Sequence, residues 1–148
     1  MGKKKLKRLN MGCGDNWKLY PEYEGVDCVD FGQEHVADIE AFLPTITGHD
    51  YDEIMANHFL EHFDQKELQD MFDLVWKALR VGGLFKVVVP HKKKKEAWVL
   101  SHKTFWTKYT FEVLEKPIFE RYGFGKWKLE KLVTNKRGDI HAWLRSIE

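Results

Sequence analysis

The sequence is short of cysteine, has no excess of either charge and contains no long apolar run, and each shortage removes a class of protein. Two cysteines, Cys13 and Cys28, make neither a disulfide framework nor a zinc-ligand spacing, which points to a reducing, cytoplasmic setting. Lys and Arg at 24 against Asp and Glu at 23 leave a net charge of +1, so the chain as a whole gives no electrostatic ground for binding nucleic acid or membrane. No apolar stretch approaches the roughly 20 residues that cross a bilayer. The basic start, residues 2–8, runs into a strand-like segment rather than into the apolar region of a signal peptide. No repeat or low-complexity linker divides the 148 residues. What remains, 43% hydrophobic and 14% aromatic, suits one globular domain, 1–148, with one core.

Patterning supplies the elements in order. An apolar-leaning run at 6–11 ends in Gly12-Cys13-Gly14 and reads as a buried strand entering a tight glycine turn. Residues 23–29 predict a second strand, 35–37 a short third, 51–57 (YDEIMAN) a fourth, and 84–89 (LFKVVV) a fifth. Between the last two, Leu68, Met71, Phe72, Val75, Trp76 and Leu79 recur at helical spacing. Asp64 and Glu67 make a capping box for that helix, and Gly82-Gly83 is its expected stop. A second helix is expected over 108–114 after Thr107, and 126–134 with 140–147 predict an antiparallel hairpin around Lys136-Arg137-Gly138-Asp139. Strands alternating with helices define an α/β chain with a mostly parallel sheet and an antiparallel edge. The early connections are abbreviated: 31–34 cannot hold a crossover helix, and 16–22 holds only about two turns at 1.5 Å per residue. One sheet face is therefore expected to be thinly covered, with self-association into a homo-oligomer as its cover.

Residues with chemistry follow the same order. The Gly12-Cys13-Gly14 turn lets backbone N–H groups approach a ligand closely, but Trp17 stands where a dinucleotide fingerprint needs another glycine, which disfavours phosphate. Asp27, at the end of the second strand, is placed to accept from a ribose diol, and Asp38, after the third, from an adenine amino group. Asn57-His58 closes the fourth strand. All lie at the carboxyl edge of a parallel sheet, where open α/β folds bind ligands.

With LNMGCGD (9–15), GVD (25–27), ADIEAFLP (37–44), YDEIMANHFLEHF (51–63), LRVGGLFKVVVPH (79–91) and SHKTFWTKYTFEVL (101–114), the chain resembles the class I S-adenosylmethionine-dependent methyltransferases over nearly its whole length. It is nearest to small members with a GCG turn and an LEH segment. The resemblance implies a Rossmann-like methyltransferase sheet and S-adenosylmethionine as cofactor. Gly12 and Gly14, with Cys13 between them, would pack under its methionine part and Asp27 would hold the ribose. Asp38 and Ile39 would frame the adenine, and Asn57 and His58 would close the pocket. Asn10 stands where many relatives carry an acid that contacts the cofactor's amino group. No Asn/Asp-Pro-Pro-aromatic segment follows the fourth strand, so nothing supports an amino-base methyltransferase.

His58, His62 and His91 are the candidate proton acceptors if the acceptor must lose a proton. His58-Phe59-Leu60-Glu61-His62 also matches an H-x-x-E-H zinc pattern, but that pattern needs a continuous helix while Asp64 caps a helix starting later, so no metal is expected. Lys92, Lys93, Lys94 and Lys95, on the expected acceptor side, leave room for an anionic small molecule. RNA and protein acceptors also stay open. Trp98, Phe105, Trp106, Tyr109 and Phe111 read mainly as core and secondarily as a lid. Two other classes stay beside methyl transfer. One is a methyltransferase-fold binding or scaffold module; the other is nucleic-acid binding through residues 3–8 and 92–95.

Overall fold

The computed structural model describes residues 4–148, so Lys3, at the start of the basic segment, lies outside the described residues. Seven strands form one sheet: β1 (Arg8–Met11), β2 (Glu24–Asp27), β3 (His35–Val36), β4 (Tyr51–Asn57), β5 (Leu79–Pro90), β6 (Trp127–Thr134) and β7 (Asp139–Ser146). Their order is β3-β2-β1-β4-β5-β7-β6, with β1 to β5 parallel and β7 antiparallel to both β5 and β6. This is the mixed Rossmann-like arrangement expected. The order reverses between β1 and β4, and open α/β sheets bind ligands at the carboxyl ends of strands flanking such a switch.

Four helices occur among the described residues: α1 (Ile39–Phe42), α2 (Gln65–Ala78), α3 (Lys108–Glu112) and α4 (Pro117–Arg121). Helix α2 starts as the sequence dictates: Glu67 N–H donates to Asp64 Oδ1 at 2.8 Å, and Asp64 N–H donates to Glu67 Oε1 at 3.0 Å. Its buried stripe is Leu68, Met71, Phe72, Val75 and Ala78. Phe72 meets Phe85 of β5 edge-on at 5.5 Å, and Trp127 of β6 packs against both.

The stop of α2 differs from expectation. The helix ends at Ala78, and Leu79 already pairs with Tyr51 in β5. Gly82-Gly83 lies inside the strand, in a bulge where the pairing passes from Tyr51/Leu79 to Glu53/Leu84. A Cβ at Gly83 would come within 3.0 Å of the Arg80 and Tyr51 carbonyl oxygens, so the glycine serves strand approach instead of helix termination. Pairing with β4, reinforced by the 2.7 Å Arg80 Nε to Asp52 Oδ1 ion pair, overrides the helical pattern one turn early.

The short early connections are as expected. Residues 28–34 join β2 to β3 without a helix; the Gln33 amide ties them by donating to Val29 O (2.9 Å) and His35 O (3.0 Å) and accepting from Phe31 N–H (2.8 Å). After β1 only a 3-10 turn, Asp15–Leu19, forms. The core lies on the opposite side of the sheet, where Leu9, Ile54, Ala56, Phe85, Val87, Ile140 and Leu144 are fully or almost fully buried. On the side without helices, alternate residues of the same strands place Arg8, Glu53, Lys86 and Trp143, joined by Tyr23. Among the described residues that side is ion-paired and polar at Arg8, Glu53 and Lys86, which water can solvate.

Candidate functional site

Strand β1 carries Leu9 and Met11 into the core and then turns at Gly12 and Gly14, both at φ near +60°. Gly12 has a steric reason as well as a conformational one: a Cβ there would fall 2.1 Å from the Phe59 ring. Cys13 N–H donates to Val26 O at 3.1 Å, which ties the turn to β2. The Cys13 thiol is buried, and burial together with the Asp27 charge pushes its pKa up to about 11, which disfavours the thiolate.

Two cavities open on either side of this turn. The first, about 460 Å³, brings together Gly12, Asp27, Asp38 and Ile39, with Phe59 and Phe63 on the far wall. Asp27 Oδ2 accepts from Gly14 N–H and Oδ1 from Val29 N–H, each at 3.0 Å, so this carboxylate ties the glycine turn to the β2 end while keeping a lone pair on each oxygen. Glu40 and Glu67 add two more carboxyls to the lining. Glu67 accepts from Asp64 N–H and is held low, whereas its hydrogen bond with Glu40 raises Glu40. Four carboxyl groups and two phenyl rings make a chamber hostile to phosphate and suited to an uncharged, hydroxyl-bearing aromatic nucleoside.

The second cavity, about 640 Å³, lies on the face without helices. Asn10, Gly12, Cys13, Gly14, Asn57 and His58 line it, joined by His141 and Trp143 of β7. Asn57 Nδ2 donates to Tyr20 Oη at 3.3 Å. The expected cofactor residues are thus divided: Asp27, Asp38 and Ile39 border one chamber, Asn10, Cys13, Gly14, Asn57 and His58 the other, and Gly12 borders both.

Of the three candidate proton acceptors, only His58 reaches a cavity of this pair. It sits at φ +50°, with Nδ1 3.7 Å from Glu61 Oε2 and Nε2 3.7 Å from Asp139 Oδ2. Glu61, and less strongly Asp139, hold its pKa above the usual imidazole range against the opposing effect of burial. His62 turns away and packs edge-on against His102 with ring centroids 4.7 Å apart. His91 pairs with Trp106 in an isolated bridge and accepts from Lys93 N–H at 3.1 Å. The lysine loop is partly neutralised, since Lys94 Nζ meets Asp139 Oδ1 at 2.9 Å. Trp106 and Phe111 are core, as expected, while Trp98 and Phe105 stack at 4.1 Å in an exposed pair.

Sequence reasoning missed Phe59 as the wall over Gly12, Glu61 as a fully buried carboxylate, and Asp139 as the partner of both His58 and Lys94. Asp139 had been legible only as a turn residue; nothing in a linear pattern joins a hairpin tip to the end of β4.

No protein-family model matches the sequence, and no curated protein matches it by sequence. Solved structures do match in fold. A SAM-dependent methyltransferase from Archaeoglobus fulgidus aligns at TM-score 0.72 and 19% identity, over 97% of this chain and 87% of that one. A second, from Mesorhizobium loti, aligns at 0.64 and 14%, over 95% and 90%. The 16S rRNA (adenine(1408)-N(1))-methyltransferase W203A mutant from Catenulisporales acidiphilia aligns at 0.68 and 14%, over 97% and 86%. The chain therefore has the Rossmann-like fold of the S-adenosylmethionine-dependent methyltransferases.

Proposed function

We propose that the chain binds S-adenosylmethionine across the Gly12 turn and directs its methyl group to an acceptor in the cavity on the helix-free face. The observation that carries this reading is the junction of the two chambers at Gly12, one lined by Asp27, Asp38 and Ile39 and the other by Asn10, Asn57 and His58. The donor set fits the group. Asp27 retains lone pairs for a ribose diol, Ile39 with Phe59 and Phe63 offers flat apolar walls for adenine, and the carboxyl-rich lining admits no phosphate. The bound cofactor supplies an electrophilic methyl on a sulfonium, which needs little covalent help.

The chain's own contribution is position. The locked glycine turn fixes one wall, Asn57 is held by Tyr20, and His58 borders the acceptor side, where its imidazole can exchange a proton with an acceptor hydroxyl or amine. Lys86, Arg137 and His141 on the same lining favour a polar or anionic small acceptor. Calorimetry with S-adenosylhomocysteine should give saturable one-to-one heat, and the purified chain should release S-adenosyl compounds in mass spectrometry. Silence in both would end the cofactor reading.

A second reading, a cofactor-fold module without turnover, is favoured by one observation: Phe59 packs directly over Gly12, at the junction any bound cofactor must share. S-adenosylhomocysteine binding with no methyl transfer to metabolite, RNA or protein pools would select it.

A further inference from the structure

Glu61 poses a problem that neither chamber solves. Its side chain is 1% exposed, and neither carboxylate oxygen has a hydrogen-bond partner. The ion-pair contact it does have, His58 Nδ1 at 3.7 Å from Oε2, lies beyond hydrogen-bond distance, so this buried carboxylate still calls for a closer cation. Two imidazoles stand beside it: the ligand atoms of Glu61, His62 and His102 all lie within 4.8 Å of one another. We infer that these three residues form a site for a divalent transition metal, with Zn²⁺ the ion the donors fit. This inference rests on the geometry of the three side chains and is independent of the cofactor reading.

Chemistry chooses the ion. Two imidazoles and one carboxylate are a borderline nitrogen–oxygen set suited to Zn²⁺ and poor for Mg²⁺ or Ca²⁺, which take oxygen ligands. Bonds of about 2.0–2.1 Å in a tetrahedron put ligand atoms about 3.3 Å apart, so side-chain rotation must draw this set in by at most about 1.5 Å. The tautomer is already prepared at one ligand. His102 Nδ1 lies 3.0 Å from the Ala97 carbonyl oxygen, which can only accept, so Nδ1 carries the proton and Nε2 keeps the lone pair a metal needs.

The H-x-x-E-H pattern is thus half right. It contains Glu61 and His62, but the strained turn at His58 points that imidazole toward Asp139 as well as Glu61, and the second nitrogen donor comes from the loop after β5. That loop is already tethered, because the Glu61 carbonyl accepts from Lys103 N–H (2.8 Å) and Thr104 N–H (3.2 Å). A metal at the carboxylate of the same residue would clamp the loop to the turn Leu60–His62, with the fourth position left for water or a substrate atom.

The test is equilibrium dialysis of the full chain against Zn²⁺ with metal analysis, followed by Co²⁺ titration read in the visible d–d bands. One equivalent of zinc, four-coordinate cobalt bands, and at least about tenfold weaker binding in both His62→Ala and His102→Ala are expected, with His49→Ala unchanged. Circular dichroism checks that each variant is folded. Should Glu61→Gln fail to fold, the two histidine variants still decide the matter. Folded wild-type chain that retains no zinc, or zinc retained equally by both histidine variants, overturns the site and leaves His58 as the charge partner of Glu61.

Discussion

The two faces of the sheet are built on opposite principles. One is closed by α1, α2 and α3 over a core in which Leu9, Val26, Ile54, Ala56, Phe85, Ile140, Ala142 and Leu144 are all fully buried. The other has the 3-10 turn Asp15–Leu19 on it and, among the described residues, no α-helix, and carries an ion-paired network instead. There Arg8 Nε and Lys86 Nζ meet Glu53 Oε2 at 3.1 and 3.3 Å, the Tyr23 hydroxyl donates to the same oxygen at 2.5 Å, and the Lys86 and Lys131 ammonium groups each stand 4.7 Å from the Trp143 ring centroid. Burial pushes Glu53 up, yet Tyr23, Lys86 and Arg8 together hold it below the usual carboxylate range. The helical face supplies stability, and the bare face supplies an open, polar chamber beside the glycine turn.

The contrast can be broken from either side. Phe72→Ala, on the closed face, should cost about 3–5 kcal/mol and lower Tm by on the order of 10 °C in calorimetry. Gly12→Val tests the junction between the faces. It forces a side chain into a left-handed backbone and against the Phe59 ring, and should weaken S-adenosylhomocysteine binding at least about 100-fold, or about 2.7 kcal/mol. Asp27→Asn keeps the shape but loses one of the bonds from Gly14 and Val29 N–H, because the amide NH2 cannot accept, and it weakens the expected ribose contact. Calorimetry should read a loss of roughly tenfold, about 1.4 kcal/mol.

Trp143→Ala, on the bare face, removes a half-buried ring and two cation–π contacts, one to half-buried Lys86 and one to exposed Lys131, and should cost only about 1 kcal/mol in urea unfolding. A loss as large as that of Phe72→Ala would mean that the two faces are not energetically distinct. The smallest effect concerns pH. Asp52 is held below the usual carboxylate range by the Lys7 N–H and by Arg80, against burial. Its contribution is therefore present above the unfolded carboxylate pKa near 3.9 and is lost as pH falls through the lower folded value. Asp52→Asn should flatten the acid limb of stability below about pH 4 while leaving the limb above pH 8 unchanged.

Much of this was legible in residues alone. The capping box at Asp64 and Glu67, the apolar stripe of α2, the Gly12-Gly14 turn and the β6/β7 hairpin are each short-range devices, set by capping, periodicity and positive φ. The acids after β2 and β3 were readable because parallel strands put their carboxyl ends on one edge. Tertiary structure decided the rest. It ended α2 at Ala78 through pairing with Tyr51, and set Phe59 over Gly12. It divided the expected site residues between two chambers. It also left His62 and His91 outside both chambers and brought His62 and His102 beside the buried Glu61 carboxylate, whose oxygens have no hydrogen-bond partner. The physical reason is the same in each case: local patterns fix backbone conformation, whereas which side chains from distant segments meet depends on sheet order and strand register.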